Sequence, residues 1–507
     1  MFRYLLYSTV TLTGGAVLII EVAATRFLSP YFGASLYVLS SVLSCILGAL
    51  ALGYFVGGRL ADRYPSPRLL YTLLGGSGLL TILLFILSKA FLLDSLLGAG
   101  IWLGPLLATL TTFFIPALIL GIDSPFVVRL VSEELESTDQ SGRIAGTVFC
   151  LSTIGSIIGS VLAGFYIIPT FGVSYTIIGT ASVIVIGAVV TLWSLREIRW
   201  AGLLLISFLF TLLITHHLLP GQTQLVEASG LYSELTVSNG TMFDRHVRLL
   251  RRDLNYSSVQ FQDNLTTPFD YMQYAELYPR LQPETNDYLI LGGGAYTIPK
   301  QLIDRNERLD VTVVEIEPSL YSIAQEHFHL EGSEQLTVHT NDARVFLQET
   351  KSQYDIILID VMNSGHVLPS HLTSQEFFIL VKSRLRPDGV VIFNTVSSPE
   401  YSTPSVAGSL YKTVQSVFPN TIAATLTAPE AAHLKNVVYL AKLTDQEFVL
   451  PDVPIRRFNG TFVSAADTVL PENTFDRKNE YLLTDDQPIS ETLIMRDILA
   501  HTQLHTQ

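Results

Sequence analysis

The 507-residue chain is 49% hydrophobic and only 15% charged, well below the roughly 25% charge of ordinary soluble domains, which excludes a wholly soluble protein. The charge is divided: residues 1–220 hold ten Lys/Arg and nine Asp/Glu, whereas residues 221–507 hold twenty-one and thirty-six. The acidic second part argues against non-specific nucleic-acid binding. The two cysteines, Cys45 and Cys150, both lie in apolar runs, so a disulfide framework and cysteine-based metal sites in the second part are excluded as well.

Taken in chain order, seven apolar stretches come first, at about 4–24, 36–57, 69–90, 99–121, 146–168, 174–195 and 200–219. Each approaches the roughly 20 residues needed to cross a bilayer core. Residues 1–220 are therefore expected to form a transmembrane helical bundle of about seven helices, a multi-pass protein of the cell membrane with the lipid bilayer as its partner. Lys and Arg gather on one side of such a bundle, which places the N-terminus in the cytoplasm. Seven spans then carry the second part outside, whereas a nucleotide ligand asks for the cytoplasm, so the side stays open. Gly155 and Gly159, four residues apart, share one helix face and favour close helix packing.

After Gly221 the texture changes. Short alternating runs at 233–237 and 246–250 read as strands, with Asn239-Gly240 as a hairpin turn, and residues 221–285 form a small β-rich subdomain. Residues 286–507 then alternate strand and helix: strands at 288–291, 311–315, 336–339, 354–360 and 389–393, with helices near 298–305, 319–327 and 374–384. Such alternation specifies a mostly parallel, doubly wound α/β sheet.

Ligands of such sheets bind at the carboxyl ends of the strands. Gly292, Gly293 and Gly294 follow the first strand and permit close backbone approach. Glu315 ends the second strand and suits two ribose hydroxyls. Asp342 follows the third, as a contact for an adenine amino group or as a helix N-cap, and Asp360 ends the fourth, facing the reaction centre. Three carboxylates behind one glycine loop point to a nucleoside. The loop continues Ala295-Tyr296-Thr297 without the dinucleotide spacing or a P-loop lysine, which disfavours a pyrophosphate and favours S-adenosylmethionine or a relative. His327, His329, His339, His366 and His371 lack metal-ligand spacing, so no metal is expected.

These motifs resemble those of the spermidine synthase (polyamine aminopropyltransferase) family, and the whole chain resembles its membrane-fused branch. The likeness rests on Leu50–Tyr54, Gly57–Arg63 and Ser152–Ser156 in the first part. In the second it rests on Gly292–Gly294, Val314–Glu317, Asn341–Arg344, Tyr354–Asp360, His371–Phe378 and Thr484–Pro488. The resemblance implies a Rossmann-like, methyltransferase-type fold and transfer of an aminopropyl group from decarboxylated S-adenosylmethionine to an amine. It implies Asp360 as the catalytic carboxylate, and Gly292, Gly293, Gly294, Glu315, Asp342 and Ala343 as the nucleoside site. Gln262, Tyr271 and Asn363 fall at positions lining the pocket, and the soluble members' dimers imply a homodimer.

Four positions depart from the pattern. The family's loop aspartate is Ala295, its second strand-end aspartate is Asn363, a pocket glutamine is Met272, and no Tyr-Pro stretch stands around Leu426–Asn436. Each charge-assisted contact is worth about 1.5–3 kcal/mol, so the nucleoside end is kept while the amine end is altered. Two alternatives follow: a methyltransferase using S-adenosylmethionine itself, and a non-enzymatic transporter-like or sensor protein.

Overall fold

The structure, a computed structural model, describes residues 2–494 except 34, 97–99, 136–140, 219–224, 231, 254, 282–284, 363–367, 398–403, 427–434, 445–448, 457–460, 472–473, 476–477, 488 and 491. The chain divides into two compact units, Met1–Gln222 and Thr223–Gln507.

The first unit is helical. Among the described residues, six segments are long and apolar enough to cross a membrane: Phe2–Phe32, Leu36–Arg63, Pro67–Leu92, Phe114–Glu134, Ser141–Ser194 and Ile198–Thr215. Three of the seven expected stretches are drawn differently. The fifth and sixth run on as one helical segment of 54 residues, broken where Gly172 takes a positive φ of 78°. The fourth, expected at 99–121, is split at Phe113 into the shorter helix Gly100–Thr112 and a longer run from Phe114 to Glu134. Pro116 has no N–H to bond the Thr112 carbonyl, which favours the break. The run thus passes the expected end at 121 and continues through the buried Asp123.

Glycines set the packing of this unit. A Cβ on Gly155 would collide with the Thr11 carbonyl, and one on Gly159 with the Gly15 carbonyl. Helices Phe2–Phe32 and Ser141–Leu162 thus meet backbone to backbone, and the Ser156 hydroxyl donates to the Gly14 carbonyl at 3.0 Å. Close approach of this kind substitutes dispersion and polar contact for the hydrophobic drive that lipid does not supply. Many large side chains point outward from the helices, among them Phe165, Trp193, Ile206 and Phe210.

The second unit begins with a four-stranded antiparallel sheet, β1 (Val226–Ser229), β2 (Glu234–Met242), β3 (Arg245–Arg252) and β4 (Asn255–Phe261), in sequential order. Asn239 and Gly240 are not its turn. They pair with Arg248 and Val247 inside the β2–β3 ladder, and the chain reverses at Phe243-Asp244, both at positive φ, as a tight hairpin requires.

A seven-stranded sheet follows: β5 (Asp287–Leu291), β6 (Asp310–Glu315), β7 (Leu336–Thr340), β8 (Tyr354–Ile359), β9 (Leu385–Ser397), β10 (Asn420–Ala424) and β11 (Lys435–Lys442). Its order is β10-β11-β9-β8-β5-β6-β7. Strands β5 to β9 are parallel, and β10 and β11 add an antiparallel edge. The central strands are continuous apolar runs because helices cover both faces. Winding outward from β5 to β7 and then back to β8 places a topological switch between β5 and β8, where open α/β sheets bind ligands.

Candidate active site

The loop after β5 is built around glycine conformations. Gly292 has φ of 100° and Gly294 of 52°, values that side chains resist. A Cβ on Gly292 would strike the carbonyl of Asp360, so the loop and the end of β8 abut across the switch. Two backbone bonds fix this: Gly292 N donates to Val314 O at 2.8 Å and Asp360 N to Leu291 O at 2.9 Å. The residues around them enclose a cavity of about 540 Å³.

Glu315, 3% exposed, ends β6 beneath the glycine loop. One carboxylate oxygen accepts from Gly293 N at 2.7 Å, and the other from Glu317 N at 2.9 Å. The Arg252 guanidinium lies 3.9 Å away. Glu317, a second buried carboxylate, accepts from the Tyr232 amide at 2.9 Å and from the Ser319 hydroxyl at 3.0 Å. The two glutamates tie the glycine loop and the small sheet to the same strand end. Ser258 of β4 adds a third tie, accepting from Ala295 N at 3.0 Å.

Asp342 caps the helix Ala343–Glu349, accepting from Arg344 N and Val345 N. Its other oxygen is 3.0 Å from the His371 ring. The His371 contact and the two amides hold its carboxyl below the usual range against the opposing effect of burial. Arg344 in turn donates to the His371 carbonyl and forms a two-pronged bond to Asp485. The Thr484–Pro488 motif is thereby joined to the cavity rim through an arginine. Ala343 lines the cavity.

Asp360 stands at the carboxyl end of β8. The Tyr271 hydroxyl donates to one of its oxygens at 2.9 Å, and the Asn394 amide to the other at 2.9 Å. Asn436 donates to the Asn394 carbonyl oxygen, also at 2.9 Å. Burial pushes the Asp360 carboxyl up, with the nearby Glu315 charge adding to it, while the two donors pull it back. The Tyr271 phenol is pushed well above its ordinary value by burial and by the adjacent carboxylate. The arrangement is a carboxylate raised by burial and held by two donors, lining a cavity of about 540 Å³.

The structure brings together Gly292–Gly294, Glu315, Asp342, Ala343, Tyr271 and Asp360 around one cavity. Gln262 is elsewhere: it follows β4, is exposed, and bonds Asn239 at 2.9 Å. Ser257 and Ser258 of β4 line the cavity instead. Asn363 and His366 lie outside the described residues, as does most of the Leu426–Asn436 stretch. Among the described residues no three His, Cys, Asp or Glu side chains are placed to share a metal ion.

Sequence reasoning missed Asn394, Asn436, Arg252 and Glu317. Asn394 did carry a signal, since with Thr395 it interrupts the apolar run Val390–Val396 and is fully buried. A buried amide in a central strand needs partners, and its partner is the candidate catalytic carboxylate.

The spermine/spermidine synthase domain family matches residues 276–448, a stretch that contains the glycine loop, Glu315, Asp342, Asp360, Asn394 and Asn436. Polyamine aminopropyltransferase 1 of Streptomyces coelicolor is 25% identical over 450 residues, covering 82% of this chain and 79% of the relative. The polyamine aminopropyltransferase of Vibrio vulnificus is 31% identical over 203 residues, 38% of this chain and 66% of the relative. That of Oceanobacillus iheyensis is 28% identical over 329 residues, 59% of this chain and 60% of the relative. A match to 82% of the chain is longer than the unit Thr223–Gln507, so the Streptomyces likeness extends into the helical unit. Residues 276–448 are a spermine/spermidine synthase domain, and over most of its length the chain is a homologue of the polyamine aminopropyltransferases.

Proposed function

We propose that this chain is a membrane-embedded aminopropyltransferase that moves the aminopropyl group of decarboxylated S-adenosylmethionine to an amine acceptor. The observation that carries the reading is Asp360, a buried carboxylate held by Tyr271 and Asn394 at the switch point, inside the synthase domain. The glycine loop and Glu315 receive the nucleoside, with ribose hydroxyls on the carboxylate and the adenine toward Asp342 and Ala343. The acceptor nitrogen attacks the aminopropyl carbon bonded to the sulfonium. The C–N bond forms as the C–S bond breaks, its electron pair stays on sulfur, and neutral methylthioadenosine leaves. Asp360 takes the proton that the nitrogen sheds, and its charge steadies the cationic centre beforehand. The six apolar segments support a location at a bilayer.

The test uses the purified full chain in detergent, decarboxylated S-adenosylmethionine and a panel of mono- and polyamines. Amine-dependent release of methylthioadenosine, lost in Asp360→Asn, is the expected result. No release with any amine would sink the proposal.

A second reading rests on Ala295. A buried methyl group occupies the place of the carboxylate that the resemblance assigns to the donor's amine end, and Arg252 contributes a cation to the cavity wall. Both features accommodate a donor that keeps its carboxylate, S-adenosylmethionine itself. Formation of S-adenosylhomocysteine in the same assay, without methylthioadenosine, would move the assignment to methyl transfer.

A further inference from the structure

The helical unit contains one carboxylate that nothing in the transferase reading uses. Asp123 is 2% exposed and opens the helix Asp123–Glu134, directly after the turn at Ile122 that ends the helix Phe114–Gly121. Pro125 has no N–H to return to the Gly121 carbonyl, which favours a break here. Helix Leu36–Arg63 presses on this break through glycines. A Cβ on Gly53 would collide with the Leu118 carbonyl, and one on Gly57 would come within 2.8 Å of the Ile122 Cα. The carboxylate is thus seated by backbone packing on one side and faces helix Phe2–Phe32 on another.

Its hydrogen-bond inventory decides its charge. Oδ1 is buried and has no partner among the described residues. Oδ2 is bonded to the Thr13 hydroxyl. That hydroxyl is also within 3.1 Å of the Val10 carbonyl oxygen, yet it owns a single hydrogen. If Asp123 were ionised, Thr13 would satisfy either the carboxylate or Val10, and one acceptor would go without. If Asp123 carries a proton, Oδ2–H donates to Thr13 and Thr13 donates to Val10, so both contacts are bonds. The remaining Oδ1 is then a neutral carbonyl oxygen, far cheaper to leave unpaired in an apolar interior than half of an anion.

The surroundings supply no compensating charge. No ion pair involves Asp123 among the described residues. The ionisable groups that act on it are the phenols Tyr54, from helix Leu36–Arg63, and Tyr71, from helix Pro67–Leu87. The Tyr71 hydroxyl is engaged with Thr9 at 2.9 Å. Ionisable groups at such depth mark ion and proton sites more often than structural ones.

We propose that Asp123 is a proton-binding site of the helical unit, a neutral carboxylic acid whose proton is held between Oδ2 and Thr13. Loss of that proton leaves an anion with one donor, so deprotonation is coupled to movement of helix Asp123–Glu134 away from Thr13 or to arrival of a cation in its place.

The experiment is an infrared pH titration of the full chain in lipid vesicles, wild type against Asp123→Asn. The carbonyl stretch of a protonated carboxylic acid lies apart from that of a carboxylate. Expected is a protonated-acid band at neutral pH in the wild type that is missing from Asp123→Asn, shifted in Thr13→Val, and lost at alkaline pH. A carboxylate band at neutral pH in place of the acid band would overturn the proposal. Thermal melting gives a second readout: Asp123→Asn, a neutral near-isostere, is expected to melt within a few degrees of wild type at neutral pH. A large loss of stability in that variant would show that the charge is required and overturn the proposal as well.

Discussion

Asp360 depends on two donors for its ionisation, and each can be removed separately. The Asn394 amide and the Tyr271 hydroxyl both oppose the upward push of burial. A general base works only when unprotonated, so activity rises with pH through its folded-state value. Removing either donor raises that value further, and the acid limb of the rate profile moves to higher pH. A hydrogen bond to a charged group is worth about 1.5–3 kcal/mol, equivalent to roughly one to two pH units. Tyr271→Phe and Asn394→Ala are each expected to shift the limb by up to that amount, measured as methylthioadenosine release against pH. An unshifted limb with reduced amplitude would mean that the donors only position the carboxylate. Asp360→Asn itself is expected to lower the rate by about 10²–10⁴-fold while calorimetry shows retained binding of the decarboxylated donor.

Arg344 and Asp485 carry a separate pH dependence. The two-pronged Arg344 bond holds Asp485 down, to about 2, against about 3.9 for an unperturbed aspartate. A depressed folded-state value means stability present above the unfolded value and lost as pH falls through the folded one. The contribution therefore disappears between about 3.9 and about 2. Asp485→Asn is expected to flatten the acid-melting curve of the full chain in that window and to lower neutral-pH melting modestly, since the contribution is present there and is screened at a side chain 40% exposed.

At the scale of elements, glycines do opposite work in the two units. In the helical unit they remove side chains so that helices touch. Gly155→Leu is expected to force Phe2–Phe32 and Ser141–Leu162 apart, since even a Cβ there meets the Thr11 carbonyl. The loss should register as several degrees in the melting of detergent-solubilised protein, whereas Gly164→Leu, with open space around it, should not. In the α/β unit Gly292 supplies a backbone angle, and Gly292→Ala would both strain the loop and strike Asp360.

The same elements explain what sequence reading reached. Strands β5, β6 and β8 were legible because inner parallel strands are largely apolar runs ended by a glycine or a carboxylate, and the edge strand β7 by the alternation of Leu336 and Val338 with polar residues. The turn at Phe243-Asp244 was not, because Asn239-Gly240 has better turn chemistry and only the register of β2 against β3 excludes it. Gln262 was placed in the pocket by the resemblance, but it stands just past the end of β4, exposed and bonded to Asn239. The fourth stretch was expected at 99–121, whereas the run from Phe114 continues through the buried Asp123 to Glu134. Asn436 had no local signal, since its role depends on an antiparallel pairing of β11 with β9.

For the whole molecule, an apolar helical unit and an acidic α/β unit share one chain. An apolar helical unit with outward-facing Phe, Trp and Ile is expected to hold the protein in the membrane pellet through an alkaline wash and to require detergent for release. Recovery of the full chain in the soluble fraction would contradict a bilayer location. The acidic second part is expected to show no salt-dependent retention of nucleic acid, checked by gel shift at low ionic strength.

The amides around Asp360 have a direction. Asn436 donates to Asn394, Asn394 donates to one oxygen of Asp360, and Tyr271 donates to the other. Every fixed dipole in this relay points at the carboxylate, and none leads away from it. With these described partners all donating inward, a proton captured there from the acceptor amine is expected to depart by the face that admits substrate. Proton discharge is then gated by product departure, so substituting heavy water should slow kcat more than kcat/KM.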